Sequence, residues 1–163
     1  MIKKVDYTIS SSTMALEPID KGGFLTKVYD ESGIILSTNS PLELLINACH
    51  IRDSNYHWRI NIVKKTLSFY KKTPLVICPI ESIYAFPTTS PQEYHCQWIF
   101  PEHIDEYVMK MGRPVIIFDN ELEMDLNCQM RILIEQIDRA KKCITHFRSL
   151  LQKSFIHILY RKN

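Results

Sequence analysis

Histidine and cysteine side chains come nearest to a metal-binding site in this sequence. His95, Cys96 and His103 lie within nine residues of one another, and imidazole nitrogen and thiolate sulfur are common ligands of Zn²⁺. Structural zinc sites usually draw ligands from close pairs, C-x₂₋₄-C or H-x₃₋₅-H, because one tight turn then supplies two corners of a tetrahedron. The sequence contains no such pair, and adjacent residues point to opposite faces of a strand. The spacing therefore argues against a metal site.

A nucleophile and a general base can also be drawn from this region. Cys96 or Ser90 would be the nucleophile, and His103 with an acid would activate it. The sequence has no nucleophile elbow, however, and its four glycines form no glycine-rich phosphate loop. We therefore predict that the protein is not an enzyme and that it needs no cofactor.

Acidic residues alternate along one predicted strand: Asp119, Glu121, Glu123 and Asp125. One face of such a strand could hold a divalent cation, as in a nuclease. A solvent-facing hairpin edge, whose charges discourage aggregation, accounts for the same pattern and is the favoured interpretation.

The remaining candidate site consists of basic side chains. Residues 52–72 hold six basic residues and one acid, a net charge of +5, whereas residues 102–127 carry −5 and residues 128–163 carry +6. Such segregation suits a polyanion-binding face, although solvated helix faces produce the same blocks. Cations neutralise phosphates, and Arg, Asn and Gln can probe groove edges. The candidate contact residues are Arg59, Lys64, Lys65, Lys71, Lys72, Asn55 and Asn61.

Two short helices must position these residues. A capping box of Ser40, Pro41 and Glu43 opens the first helix. Asn55 is the predicted cap of a second, basic helix that runs over residues 55–72 and ends before Pro74. The apolar stripe of this helix is Tyr56, Ile60, Val63, Leu67 and Tyr70. Arg59 lies near the stripe, so its guanidinium either reaches the ligand or is tethered over the Tyr56 ring.

Short strands are predicted on both sides of the helices. The first three cover residues 4–10, 23–30 and 33–38, and two more cover 75–80 and 82–88. A further strand region at 97–110 is broken by Pro101, and a hairpin over 114–126 turns at Asp119-Asn120. The strands before and after the turn Ser90-Pro91 form a clasp that buries Cys96 or Trp98 and braces the sheet behind the basic helix.

A long amphipathic helix is predicted from Asn127, its expected N-cap. Its apolar face consists of Leu133, Ile137, Ala140, Ile144, Phe147 and Leu151. Glu135–Arg139 and Asp138–Lys142 are expected ion pairs, and the tail 154–163 extends the helix or forms a last strand. The predicted fold class is α+β, a single domain over residues 1–163: mostly antiparallel β-sheet with two short central helices and one long C-terminal amphipathic helix.

The composition is that of an ordinary soluble globular protein. Of 163 residues, 45% are apolar and 23% are charged. The sequence contains no run of eighteen apolar residues that could span a membrane, and no signal peptide is evident. The five cysteines contain no close pair, so we interpret them as reduced, mostly buried thiols. We expect a cytoplasmic protein.

Several short motifs recur in a recognisable order over residues 35–145. They are Pro41-Leu42 at a helix start, Cys49, a Ser-x-Tyr-x-x-Arg pattern at residues 54–59, Lys72 with Pro74, and FPT-x-S-x₅-C-x-W-I at residues 86–99. In this order and spacing, and in the hairpin and long helix that follow, the chain resembles the ComK family of competence transcription factors from Gram-positive bacteria.

The resemblance implies a transcriptional activator of DNA-uptake and recombination genes. Its expected partners are double-stranded A/T-rich promoter DNA, further copies of the chain in an oligomer, and RNA polymerase, with no membrane and no small-molecule substrate. The family is thought to read A/T-rich boxes largely through the minor groove, where width and negative potential guide Arg and Lys side chains. The protein is therefore expected at the nucleoid.

Two departures from the family pattern concern the basic helix. Trp58 stands where a small residue usually precedes the arginine, and residues 60–63 replace small and basic residues. The bulk of Trp58 either blocks close approach to DNA or contacts DNA itself. The alternative function is a ComK-like protein-interaction regulator with weak or no DNA binding.

Overall fold

The computed structural model describes residues 2–3 and 7–161, which form two sheets and three helices. The strands are β1 (Ile2–Lys3), β2 (Thr13–Lys21), β3 (Phe24–Asp30), β4 (Gly33–Ser37), β5 (Leu75–Cys78), β6 (Ile83–Pro87), β7 (Trp98–Ile99), β8 (Ile104–Lys110), β9 (Arg113–Phe118) and β10 (Glu123–Asp125). The helices are α1 (Pro41–His50), α2 (Tyr56–Leu67) and α3 (Met130–Arg161). A 3₁₀ turn occupies Pro101–His103.

Seven strands make the larger sheet in the order β1-β4-β3-β2-β7-β6-β5, and β10-β9-β8 make the smaller one. Except for β1 with β4, all pairs of neighbouring strands in the described residues are antiparallel. The predicted α+β class, with mostly antiparallel sheet, two short helices and one long C-terminal helix, is confirmed.

Two apolar cores lie on opposite faces of the larger sheet. Leu44 and Leu45 of α1 pack in the first core with residues such as Trp98. Leu133 of α3 and Ile116 of the smaller sheet belong to the second. The helix α2 packs on β5 at the sheet edge and contributes to both cores, through Tyr56 to the first and Val63 to the second. This packing covers one edge of the larger sheet and leaves the rest of α2 facing solvent.

Both short helices begin where the capping signals predicted. The Ser40 hydroxyl accepts a hydrogen bond from the Glu43 N–H at 3.1 Å, and the Glu43 carboxylate accepts one from the Ser40 N–H at 3.3 Å. The Asn55 side chain accepts from the Trp58 N–H at 3.0 Å and caps α2. Caps are local, so sequence spacing is sufficient to predict them.

The prediction that the basic helix extends to residue 72 is wrong. The helix ends at Leu67, because Ser68 adopts a left-handed conformation with φ 59° and terminates it. Lys71 and Lys72 therefore lie in the segment that follows, where Lys72 also has a positive φ of 49°. Tyr70, assigned to the apolar stripe, is exposed.

The first predicted strand is also wrong in the part that is described. Residues 4–6 lie outside the described residues, and residues 7–10 form no strand. The strand β2 instead covers Thr13–Lys21. It was not predicted because its Met, Ala, Leu and Glu residues are weak strand formers and because Pro18 lacks the N–H that most strand positions use. Thr13–Leu16 are buried on both faces, so tertiary packing determines this strand.

The long helix begins at Met130 and not at Asn127, whose side chain instead donates to the His95 carbonyl at 2.6 Å. The tail continues the helix to Arg161. The Asp138–Lys142 pair forms at 2.9 Å, whereas Glu135 lies nearest to Arg131, at 4.0 Å.

Within residues 2–3 and 7–161, no helix is long and apolar enough to cross a membrane.

Asp30 is the centre of a polar network that ties the segment before β2 to the end of β3. Its carboxylate accepts hydrogen bonds from the hydroxyl of Tyr7 at 2.7 Å, the hydroxyl of Ser12 at 3.2 Å, and the N–H and hydroxyl of Ser32 at 3.0 and 2.9 Å. Burial raises the pKa of this carboxyl, but the hydrogen bonds outweigh burial and the net effect lowers the pKa. The charged form of Asp30 therefore stabilises the fold.

Replacing Asp30→Asn is expected to lower the free energy of unfolding by about 1–3 kcal/mol near neutral pH, because buried donors lose a charged acceptor. Since the native pKa lies below the unfolded value, this stabilisation is complete above the unfolded pKa and disappears as the pH falls through the native one. Urea denaturation of both proteins between about pH 7 and pH 3 should show their stabilities converging at the acid end. A constant difference would contradict a role for the charge.

Candidate nucleic-acid interface

A groove of about 520 Å³ lies between α2 and two loop segments, 70–73 and 90–92. Basic and amide side chains gather there from two separate parts of the sequence. Of the residues selected from the sequence, the groove contains Asn61, Lys64, Lys71 and Lys72. It is an open concave surface, so it suits an extended ligand rather than an enclosed small molecule.

The first wall is one face of α2. His57, Ile60, Asn61 and Lys64 line the groove, and their spacing of i, i+3, i+4 and i+7 places them on one side of the helix. On the buried side, the Tyr56 ring meets the Trp98 ring edge-on with 6.5 Å between centroids. This contact fixes the rotation of α2, which directs Asn61 and Lys64 into the groove.

The second wall is the segment that carries Lys71 and Lys72, and α3 holds its backbone. The Gln136 amide, which is buried, donates to the Lys72 carbonyl at 2.9 Å and to the Pro87 carbonyl at 2.8 Å. The Arg139 guanidinium donates to the Lys71 carbonyl at 2.8 Å and lies 4.6 Å from the centre of the Phe69 ring. Because these hydrogen bonds use the backbone carbonyls of Lys71 and Lys72, the ammonium groups of both side chains are left for a ligand.

The third wall is the loop 88–97, the centre of the predicted clasp. The Thr88 N–H donates to the Gln97 carbonyl at 2.9 Å, and the Gln97 N–H donates to the Thr88 hydroxyl at 3.1 Å, so the loop is closed at its base. Cys96 and Trp98 are both buried. The tip of the loop, residues 90–92, borders the groove opposite α2.

The groove is electrostatically uncompensated. In the part of the chain that the structure describes, none of Lys64, Lys71 and Lys72 forms an ion pair with a carboxylate. Three neighbouring ammonium groups without counter-charges create a positive potential that attracts anions. The arrangement can bind a chain of phosphates, and the Asn61 amide can add a hydrogen bond.

Comparison with known proteins agrees with the motifs. The family model described as "ComK protein" matches residues 4–152. The chain belongs to the ComK family. A competence transcription factor from Bacillus subtilis (strain 168) is 23% identical over 144 residues, which cover 87% of this chain and 75% of that protein. No solved structure matches the chain significantly.

Three residues of the predicted site lie outside the groove of this ComK-family chain. Asn55 is exposed and its side chain caps α2, and Lys65 is exposed on another face of the helix. Arg59 donates to the Ser54 hydroxyl at 2.7 Å, and its guanidinium lies 5.9 Å from the Trp58 ring rather than over Tyr56. The Ser-x-Tyr-x-x-Arg pattern therefore contains an internal hydrogen bond, between its Arg and its Ser. Arg59 also lines two smaller cavities that face α3.

Several groove residues were not selected from the sequence: Tyr70, Thr73, Ser90 and Gln92. The loop residues were recognised as a family motif, but no spacing connected them with the lysines. Tyr70 was assigned to the helix core, and its exposure in the groove gives a ligand an aromatic face. The groove is formed by tertiary folding, which places α2 beside loop residues about thirty positions further along the chain.

The histidine, cysteine and acidic candidates lie apart from the groove. The Cys96 sulfur contacts the Thr89 carbonyl at 3.6 Å, and burial raises the pKa of its thiol. The His103 Nε2 atom lies 2.7 Å from the Ser11 carbonyl, and Nδ1 lies 3.4 Å from Glu31. Among the residues with described side chains, no three or more His, Cys, Asp or Glu side chains are grouped so as to hold a metal ion.

Proposed function

We propose that this chain is a non-enzymatic transcription regulator that binds double-stranded A/T-rich promoter DNA through the groove beside α2. The observation that carries the proposal is the gathering of Lys64, Lys71 and Lys72, without ion-pair partners, on a surface that also presents Asn61. Membership of the ComK family supports it, since the Bacillus subtilis relative is named a competence transcription factor. We propose further that residues 1–163 act as one DNA-binding domain.

The proposed mode of binding is through the minor groove. A/T-rich tracts have a narrow minor groove with enhanced negative potential, which draws Lys and Arg side chains toward it. The lysines of the α2 wall and of the 71–72 wall would contact phosphates on the two strands. The Asn61 amide N–H groups would donate to adenine N3 or thymine O2, the acceptors that A·T pairs expose there.

The cellular role that we propose is activation of competence genes. The protein would act in the cytoplasm at the nucleoid, as an oligomer on promoters and in contact with RNA polymerase. This context follows from the family resemblance, and the groove supplies the DNA-binding element that such a role needs.

A second candidate function is a protein-interaction regulator with weak or no DNA binding. The observation in its favour is the surface around Arg59, where Trp58 is 56% exposed and Leu150 and Leu151 of α3 are also exposed. Clustered exposed apolar side chains commonly mark protein-binding surfaces. This candidate predicts a protein partner and no retention of DNA.

The salt dependence of DNA binding tests the main proposal. If the three groove lysines each neutralise one phosphate, log K should fall with log salt at a slope of about −2.7, and at about −4.5 if Arg59 and Lys65 also contribute. Gel shifts with A/T-rich and scrambled duplexes across a salt series give both the slope and the sequence preference. A salt-independent affinity, or no retention of the A/T-rich duplex at low salt, would contradict DNA binding through the groove.

A further inference from the structure

The strand β8 is an open edge of the smaller sheet. In the described residues this sheet ends with β8 on one side and β10 on the other. The β10 edge is partly covered, because the Gln97 amide donates to the Asp125 carbonyl at 3.0 Å. The strand β8 is seven residues long, against three for β10, and most of its residues are exposed. An edge strand of this length presents a row of backbone groups that can pair with another strand.

The turn between β8 and β9 determines which backbone groups of β8 face the open edge. Residues 111 and 112 have φ angles of 50° and 78°, as in a two-residue type I′ turn. Lys110 and Arg113 flank this turn and stand opposite each other, so they form a hydrogen-bonded pair. Bonded and non-bonded pairs then alternate along the hairpin away from the turn.

By this alternation, Tyr107 and Met109 direct their N–H and C=O groups away from β9. Met109 stands opposite Pro114, which has no N–H and therefore fits the non-bonded position. A strand laid beside β8 would consequently find two residues with outward donors and acceptors. Val108, between them, is bonded to β9.

The side chains of β8 in one copy of the chain are complementary to those of β8 in a second copy when the two strands run antiparallel. Residues 106–110 read Glu-Tyr-Val-Met-Lys, with opposite charges at the two ends and apolar residues between. When two copies are paired about Val108, Glu106 faces Lys110 of the second copy and Tyr107 faces Met109 of the second copy. This register also places the outward-facing residues opposite each other, which gives four backbone hydrogen bonds.

The two faces of the paired strands would differ in character. Tyr107 stands opposite Ile116, which in turn stands opposite the buried Met124, so Tyr107 lies on the core side of the sheet. Tyr107 is 40% exposed and Met109, on the same side, is 54% exposed. Both side chains would gain apolar cover from a second copy, while the opposite face would carry the charged pairs.

Two features limit the contact to residues 106–110. A bulge between Ile104 and Glu106 disturbs the strand at its start, and the turn ends it after Lys110. Within the chain, Lys110 also pairs with Glu123, across β9. In a pair of copies, the Lys110 ammonium would lie between Glu123 and the second copy's carboxylate.

We propose that β8 is a dimerisation edge, at which two copies of this chain pair antiparallel about Val108 to form a continuous six-stranded sheet. The partner is a second copy because the charge pattern of 106–110 complements itself only when the strand is reversed. The contact is isologous, so each copy contributes the same surface. This proposal specifies a surface for the self-association proposed above, and no step in it depends on DNA binding.

Charge-reversal variants test the dimer by sedimentation velocity in the absence of DNA. Wild-type protein at micromolar concentration should sediment at twice the chain mass of 19.2 kDa. Glu106→Lys alone, or Lys110→Glu alone, places like charges opposite each other twice per dimer, and the dissociation constant should rise about tenfold or more. An equimolar mixture of the two variants places opposite charges together again and should restore the dimer.

Thermal unfolding of each variant provides the control for folding. The Lys110→Glu substitution also removes the ion pair between Lys110 and Glu123 within the chain, and mixing the two variants does not restore that pair. Recovery of the dimer in the mixture would therefore report only the contact between the two copies. A monomeric wild type, variants that dimerise as the wild type does, or a mixture that stays monomeric would each overturn the proposal. None of these outcomes bears on the salt slope, so the two proposals fail independently.

Discussion

Replacing Lys64→Glu and Lys72→Glu together is expected to lower the affinity for an A/T-rich duplex by about 60-fold at 0.1 M salt. The estimate assumes that two phosphate contacts are lost, each contributing about 0.9 to the slope of log K against log salt. The slope itself should become less steep by about two. The two lysines come from different walls of the groove, so the pair tests whether both walls contact the same ligand. Gel shifts across a salt series measure both quantities.

The matched control carries the same change of charge outside the groove. Lys21 and Lys153 are exposed and do not line it, so Lys21→Glu with Lys153→Glu alters net charge equally. This control should keep most of the affinity. An equal loss in both double variants would indicate a nonspecific effect of net charge. A larger loss in the control would place the binding surface near Lys21 or Lys153, outside the groove.

Replacing Trp98→Ala is expected to lower the free energy of unfolding by about 3–5 kcal/mol, the usual cost of removing a large buried aromatic side chain. Trp98 is 2% exposed and supports α2 through its contact with Tyr56. Total stabilities are about 5–15 kcal/mol, so this variant should unfold well below the wild-type temperature. Urea and thermal denaturation measure the loss.

Cys96→Ala in the same loop is the milder comparison. The thiol is buried but small, so we expect a loss of about 1 kcal/mol and, below the unfolding temperature, an unchanged affinity for DNA. That result would support the clasp as a brace for the groove wall. A Cys96→Ala protein of full stability that fails to bind DNA would show instead that the thiol region takes part in recognition.

The parts of the fold that depend on local chemistry were predicted well. The capping box at Ser40 and the cap at Asn55 satisfy N–H groups within three residues, so spacing alone reveals them. The hairpin around residues 119–120 and the strands β5 and β6 likewise have local signals. The fold class followed from the order of these elements.

The parts that depend on distant contacts were not predicted. The helix α2 ends at Leu67 rather than near residue 72, and the segment that follows it is held by Gln136 and Arg139, more than sixty residues away. The same contacts bring Lys71 and Lys72 across from Lys64, so the groove is a product of tertiary structure. A sequence pattern can select basic residues, but it cannot tell which of them face one another.

The Gln136 side chain has a consequence for the thermodynamics of binding. One buried amide holds the end of β6 and the lysine segment together, so the second wall of the groove and the strand that leads into the third share an anchor on α3. The conformational entropy of these loops is therefore lost during folding, before any ligand arrives. Binding to such a preorganised surface should bring little further ordering and only a small change in heat capacity. Loss of the Gln136 amide would weaken binding through entropy while every contact to the ligand remained possible.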